Sequence, residues 1–174
     1  GIFWTHLHEG NLAREFDQWD VAAAAYDAAE AAAVRAHSDL RRAIVWNNRG
    51  VLERSRNKPA ESRDFLRRAG DVLRFVGSVD DWANNRKETA LTEAFLGRFE
   101  SAERALQDWR EFLDAEGRSL GDDFEATRRR VTALRGTTFT WSREGFLRAA
   151  QPPIPAAPES YAVDSEFRRV AKLQ

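Results

Sequence analysis

The sequence contains neither cysteine nor methionine among its 174 residues. The first absence excludes disulfides, thiolate zinc sites and a cysteine nucleophile. Without methionine and with Gly1 at its start, the chain reads as trimmed or as a segment of something longer. Glycine (10) and proline (5) are too scarce for a collagen-like or low-complexity chain. No apolar run approaches the ~20 residues of a membrane span. The alanine-rich run from Val21 to Val34 carries Asp27 and Glu30 and has no cationic leader, unlike a signal peptide. Neither sign of charge dominates: 27 Lys+Arg against 28 Asp+Glu leave a net −1, which argues against a strongly basic nucleic-acid binder. No membrane partner is indicated, and the cytoplasm is the expected compartment.

Long alternations of β-branched residues are missing as well. Thr137-Thr138-Phe139-Thr140-Trp141 comes nearest, but a lone strand has no partner, so it reads as a turn. What is present favours helix. Ala22 to Ala33, Ala60 to Val76 and Ser101 to Ala115 are rich in Ala, Leu, Arg and Glu, all good helix formers. Asn57-Lys58-Pro59, Gly77-Ser78, Gly97, Gly117 and Gly121 punctuate them. The chain reads as all-α. Arg outnumbers Lys by 24 to 3, a bias that often reflects a GC-rich genome.

The helices repeat at a spacing of 40 residues. Trp19, Pro59, Phe99 and Phe139 stand in register, followed by Ala22, Ser62, Ala102 and Ser142. Next in each unit come Tyr26, Leu66, Leu106 and Phe146, then Ala29, Ala69, Trp109 and Ala149. Twelve before the small residue stand Gly10, Gly50, Ala90 and Arg130. A fixed period of this kind is the signature of stacked supersecondary units.

These residues resemble the tetratricopeptide repeat, a helix–turn–helix unit with a small residue in its first helix. Another small residue, a large apolar one and Ala follow in its second helix. The period exceeds the ~34 residues of the standard unit, and the fourth unit departs, with Arg129 and Arg130 where small or apolar residues belong. The resemblance implies an all-α, right-handed superhelical solenoid of antiparallel helix hairpins. Its hairpins would span roughly 3–37, 38–77, 81–117 and 121–150. A Pro-rich connector follows at 151–158. Residues 159–174 are then expected as a C-terminal helix, beginning at Ser160, with Val163, Phe167, Val170 and Ala171 on one face. That helix either caps the last unit or docks in the groove of its own or a neighbouring chain, giving a homo-oligomer in the second case.

In arrays of this kind the first helices line a concave groove. The resemblance therefore implies a peptide- or partner-binding set of Leu7, Asn11, Asn47, Asn48, Val51, Arg54, Asn84, Lys87, Leu91 and Arg128. Asn11, Asn47 and Asn48 would capture a peptide backbone, an amide being both donor and acceptor. Arg54, Lys87 and Arg128 would select charge, and Leu7, Val51 and Leu91 would anchor apolar groups. Asn84 or Asn85 reads equally as the cap that starts the third unit. The acidic-peptide clamp of the family is not expected, because Leu7, Asn84 and Glu88 stand where basic residues belong.

Catalytic patterns are missing. His6 and His8 are two apart and face different sides of a helix, so they form no helical metal pair. HExxH, GxSxG and a Gly-rich phosphate loop do not occur. No cofactor, metal or enzymatic activity is expected. Arg128-Arg129-Arg130 radiate around a helix and read as a solvated, ion-paired face. The functional expectation is a non-catalytic protein–protein interaction module that binds a peptide or helix of a partner protein. The alternatives are the sensing part of a larger regulator and a self-association module.

Overall fold

The computed structural model describes residues 1–135 and 137 with their side chains, together with the backbone of 138–141, 147–151, 160–163 and 169–173. Seven helices occupy its described body: α1 (Ile2–Glu15), α2 (Trp19–Arg35), α3 (Asp39–Ser55), α4 (Pro59–Val76), α5 (Val79–Phe95), α6 (Phe99–Ala115) and α7 (Asp122–Leu134). Up to Leu134 the chain is all-α, as its composition leads one to expect.

The turns between helices keep a strict metre. Asp17, His37, Asn57, Gly97 and Gly117 all take left-handed backbone conformations, with φ of 57°, 47°, 58°, 74° and 66°. Each sits one residue past a helix C-cap. In each case the next amide donates back across the helix end: Gln18 to Ala13 O (2.9 Å), Ser38 to Ala33 O (3.1 Å), Lys58 to Glu53 O (2.8 Å), Arg98 to Glu93 O (2.8 Å) and Arg118 to Leu113 O (2.9 Å). This is the Schellman arrangement, which satisfies carbonyls that the helix leaves free. Asp and Asn tolerate the left-handed region better than most residues, and Gly fits it without strain. The 40-residue repeat is therefore two 20-residue half-steps, each a helix plus a tight turn.

One step breaks the metre. At position 77 no left-handed residue occurs; Gly77 is extended (φ −75°, ψ 158°) and α4 runs to Val76. Ser78 then caps α5, its hydroxyl accepting the Asp81 amide at 3.2 Å while the Asp81 carboxylate accepts the Ser78 amide at 3.1 Å. This reciprocal box starts α5, so neither Asn84 nor Asn85 is its cap.

Each helix packs on its neighbours in the chain, and α1 with α3, α3 with α5, and α5 with α7 also touch. The small-residue positions are the crossing points. A Cβ on Gly10 would lie 2.5 Å from the Tyr26 ring, and one on Gly50 would lie 2.6 Å from Leu66 Cγ. Ala90 holds the third such position, and Ala22, Ser62 and Ala102 are completely buried opposite. Trp109, standing where other units have Ala, fills space against Phe124, ring to ring at 5.1 Å.

Beyond α7 the chain departs from expectation. β1 (Thr138–Trp141), β2 (Leu147–Gln151), β3 (Ser160–Val163) and β4 (Arg169–Leu173) form an antiparallel sheet in the order β1-β2-β3-β4. Thr138 pairs with Gln151 and Phe139 with Ala150, so the run read as a turn for want of a partner has one. Ser160 pairs with Leu173 and Tyr161 with Lys172, which replaces the expected helix over 159–174. The same pairing removes the second helix of the expected hairpin 121–150. Its helix propensity is outweighed by the β-branched and aromatic residues of Thr138–Trp141, Tyr161, Val163 and Val170, which suit a pleated surface. Residues 152–158, most of the expected connector, lie outside the described residues, as do 142–146 and 164–168.

Two predictions follow from the crossings. Gly50→Val should lower stability by about 1–3 kcal/mol through overpacking against Leu66, read as a lower urea midpoint; an unchanged midpoint would show that the helices part freely there. Tyr26 is buried, and its hydroxyl donates to Asn11 Oδ1 at 2.8 Å. Burial pushes its pKa above the ordinary value of 10.0, against the pull of Arg14. The unfolded chain thus ionises this group first, and the stability it contributes is lost as pH rises through its folded pKa. Tyr26→Phe should cost about 1 kcal/mol at neutral pH and flatten the stability loss above pH 10, measured by urea melts across that range.

Candidate functional site

The α3–α5 contact is polar rather than oily. Arg54, only 6% exposed, donates to Glu88 Oε2 at 2.6 Å, to the Glu88 carbonyl at 3.3 Å and to Thr92 Oγ1 at 3.4 Å. Ser62 Oγ lies 3.1 Å from Thr92 Oγ1, tying in α4. One helical turn towards its start, Asn85 donates to Asn47 Oδ1 at 2.9 Å and to the Leu66 carbonyl at 3.0 Å. At the edge, Arg63 Nε donates to Glu93 Oε1 at 2.8 Å. Charged partners in so dry a setting hold each other strongly, but a single one left alone is costly.

Most of the residues expected to hold a ligand are used up inside the protein. Asn47 and Arg54 belong to this seam. Leu7, Val51 and Leu91 are buried in the core. Asn11 accepts from Tyr26, and Asn48 donates to the Ile44 carbonyl of its own helix at 2.8 Å. Lys87 is half-buried and pairs with Asp123 at 3.0 Å. Arg128 is exposed and pairs with Glu125 at 2.8 Å. Asn84 is exposed on α5. The set is therefore not assembled in one open groove, because α3 and α5 approach closely enough to bury the face that would line it. Asn85, Glu88 and Thr92 were missed as seam residues. Their spacing of three and four marks one helix face, but a polar stripe there gives no hydrophobic signal.

An open concavity lies elsewhere, between the end of α4, the start of α5 and the middle of α6. It measures about 630 Å³ and has Gly70, Trp82, Arg86 and Phe112 among its lining residues. The Arg86 guanidinium stacks over Trp82 at 4.3 Å, donates to Asn85 Oδ1 and stands 3.5 Å from Asp108. Burial pulls the Arg86 pKa down, and Asp108 opposes it. Gly70 makes room for this cation: a Cβ there would lie 2.6 Å from Arg86 Nη2. Phe112 meets Trp82 edge-on at 5.9 Å. At the rim stand Asp71, Glu111, Arg74 and Phe75, the last 80% exposed.

The cleft follows from the broken metre. Because α4 does not turn at position 77, its last turn projects with Phe75 and Val76 open to water. A smaller cavity of about 210 Å³ between α6 and α7 has Arg110, Arg128 and Arg135 in its lining. Arg128 and Arg135 are held by Glu125 and Glu103, the latter at 2.8 Å, and Arg110 lies over the Phe124 ring. Among the described residues no group of three His, Asp or Glu could hold a metal ion, and no helix is long and apolar enough to cross a membrane.

The seam makes a sharp prediction. Glu88→Leu should cost about 3–5 kcal/mol by stranding Arg54, while the pair Arg54→Met with Glu88→Leu should recover most of that loss. A double-variant loss equal to the sum of the two single-variant losses, in a double-mutant cycle of urea melts, would mean that the pair is not coupled. No family model, curated protein or solved structure matches this chain.

Proposed function

We propose that the chain is a non-catalytic protein-interaction module, built as a right-handed superhelical solenoid of antiparallel helix hairpins similar to tetratricopeptide arrays. Support for the architecture comes from the 20-residue metre of left-handed turns and from the close crossings at Gly10, Gly50 and Ala90. The partner is a peptide segment of another protein, and it binds in the cleft between α4, α5 and α6.

One observation carries this reading: where the metre breaks among the described residues, a cleft opens that Trp82 and Phe112 line and exposed Phe75 borders. Trp82 and Phe112 supply an apolar floor, and exposed Phe75 supplies a rim that a partner side chain can close over. Arg86 is already committed to Trp82, Asn85 and Asp108. At the rim Asp71, 3.7 Å from Arg67, and Glu111, accepting from Gln107 at 2.7 Å, stand with Arg74, and this acidic side of the rim favours an apolar side chain flanked by a basic one. Aromatic anchors in partly enclosed pockets dominate binding energy at such surfaces.

Random peptides displayed on phage and selected on the intact protein test the assignment. Selected peptides should pair an apolar residue with Lys or Arg and should bind Phe75→Ser at least tenfold more weakly than wild type. Peptides that bind Phe75→Ser and Glu111→Lys as tightly as wild type would remove the cleft from the function.

A further inference from the structure

The repeat places a filled counterpart of the cleft one unit earlier. Forty residues before Gly70, Trp82, Arg86 and Asp108 stand Glu30, Arg42, Trp46 and Arg68. At the centre of that earlier set is a ring. The Arg42 and Arg68 guanidinium groups lie over the Trp46 indole at 4.9 and 4.4 Å, and Glu30 accepts from its Nε1 at 2.8 Å. Around the cleft, ring and cation have exchanged places along the helix: Trp82 stands where α3 has Arg42, and Arg86 where it has Trp46. The centre is now a cation. Trp82 lies over it at 4.3 Å, but α6 brings Asp108 in place of a second planar group, and Gly70 brings no side chain. Among the described residues no other ring lies over Arg86. Its edge is engaged, Nε and Nη2 by Asn85 Oδ1 and Nη1 by Asp108 at 3.5 Å. The side chain is 14% exposed and lines the cleft.

We infer that the side chain entering the cleft is a tryptophan of the partner peptide, stacked on Arg86 and donating its indole N–H to Asp108; this rests on the cleft being the peptide site and adds the identity of the anchor. Charge complementarity selects a ring. The negative face of an aromatic group is drawn to a guanidinium, more strongly where water is largely excluded, and an indole most of all. Asp108 is half exposed and meets Arg86 only at 3.5 Å, so its carboxylate keeps capacity for another donor, as Glu30 accepts from Trp46. A leucine or phenylalanine would leave that acceptor unused. Phe112 and Phe75 border the remaining edges of the ring with apolar surface, and about 630 Å³ accommodates an indole. The basic neighbour of the anchor then meets Asp71 or Glu111 at the rim.

Among phage-selected peptides that lose binding on Phe75→Ser, tryptophan should recur at one position. In fluorescence anisotropy on the full chain, replacing that tryptophan by leucine should weaken binding about tenfold, and Arg86→Lys, which keeps the charge but not the plane, should remove most of the difference. Replacing it by benzothienylalanine, a ring of the same shape without the N–H, should weaken binding to wild type about fivefold and leave binding to Asp108→Ala unchanged. Asp108 is exposed, so this second arm stands even where Arg86→Lys lowers the helical circular dichroism. Phe75-dependent peptides anchored by an aliphatic residue, or equal affinity of the tryptophan and benzothienylalanine peptides for wild type, would overturn the inference while leaving the cleft as the peptide site. A selection that yields no Phe75-dependent peptide would overturn both.

Discussion

The left-handed turn residue is the constraint on which the rest depends. A helix ended at a fixed length by Asp17, His37, Asn57, Gly97 or Gly117 sends the chain onward at a fixed register. Register then decides which residues meet. Gly10 faces Tyr26 and Gly50 faces Leu66 because each pair is separated by the same stretch of helix, turn and helix. A shift of one residue in either helix rotates its contact face by about a quarter turn or more and would set a Cβ-bearing residue against those rings and branches. The Schellman bonds hold that register by satisfying the helix-end carbonyls in a single geometry. Where the turn is replaced by extended Gly77 and a Ser78–Asp81 box, α4 gains length and exposes its last side chains. Fold and open cleft thus share one cause.

A second consequence concerns the interior. Helices that cross at glycine and alanine come close, and the faces beside the crossing have little room for large apolar side chains. Between α3 and α5 the space is filled by hydrogen-bonding groups of defined direction: Arg54 to Glu88, Asn85 to Asn47, Ser62 to Thr92. Apolar packing of similar volume often serves stability equally well, but a directional network accepts fewer alternative alignments. Here that network links α3, α4 and α5, so it fixes one hairpin on the next. The flanking clusters, one around Tyr26 and Leu52 and one around Trp109 and Phe124, are conventional apolar cores.

Much of this was legible in the sequence, and the limits have physical reasons. The spacing of Ala22, Ser62 and Ala102 and of Tyr26, Leu66 and Leu106 identified the crossing residues, because small and large types at a fixed period leave a direct trace. Trp109, in register with Ala29 and Ala69, is buried as they are. The half-period escaped notice, since Asp17, His37, Asn57 and Gly97 share a backbone conformation and not a residue type. The buried seam was hidden for a related reason. Asn47 and Arg54 are the residue types of a binding groove and of a buried seam alike, and only the distance between α3 and α5 separates the two. The C-terminal strands were hidden because the partner of Thr138–Trp141, Leu147–Gln151, carries helix-forming residues in a helical register.

The two ends of the helical body differ in how they meet water, and the difference follows from which repeat positions each keeps. α7 buries Phe124, Thr127, Val131 and Leu134 against α5 and α6 and turns Asp122, Ala126, Arg129 and Ala133 outward. Arg130, at the position where earlier units have Gly or Ala, forbids a close crossing of the kind seen at Gly10. Unit four therefore cannot receive a second helix in the manner of the others, which accords with strands and not a helix after Leu134. Two of these outward residues, Asp122 and Arg129, are charged. α1 has made no such change. At the matching positions α3 and α5 bury Val45, Leu52, Asn85 and Thr92 beside the partly exposed Arg42, Arg49 and Thr89, whereas α1 leaves Ile2 and Leu12 open to water.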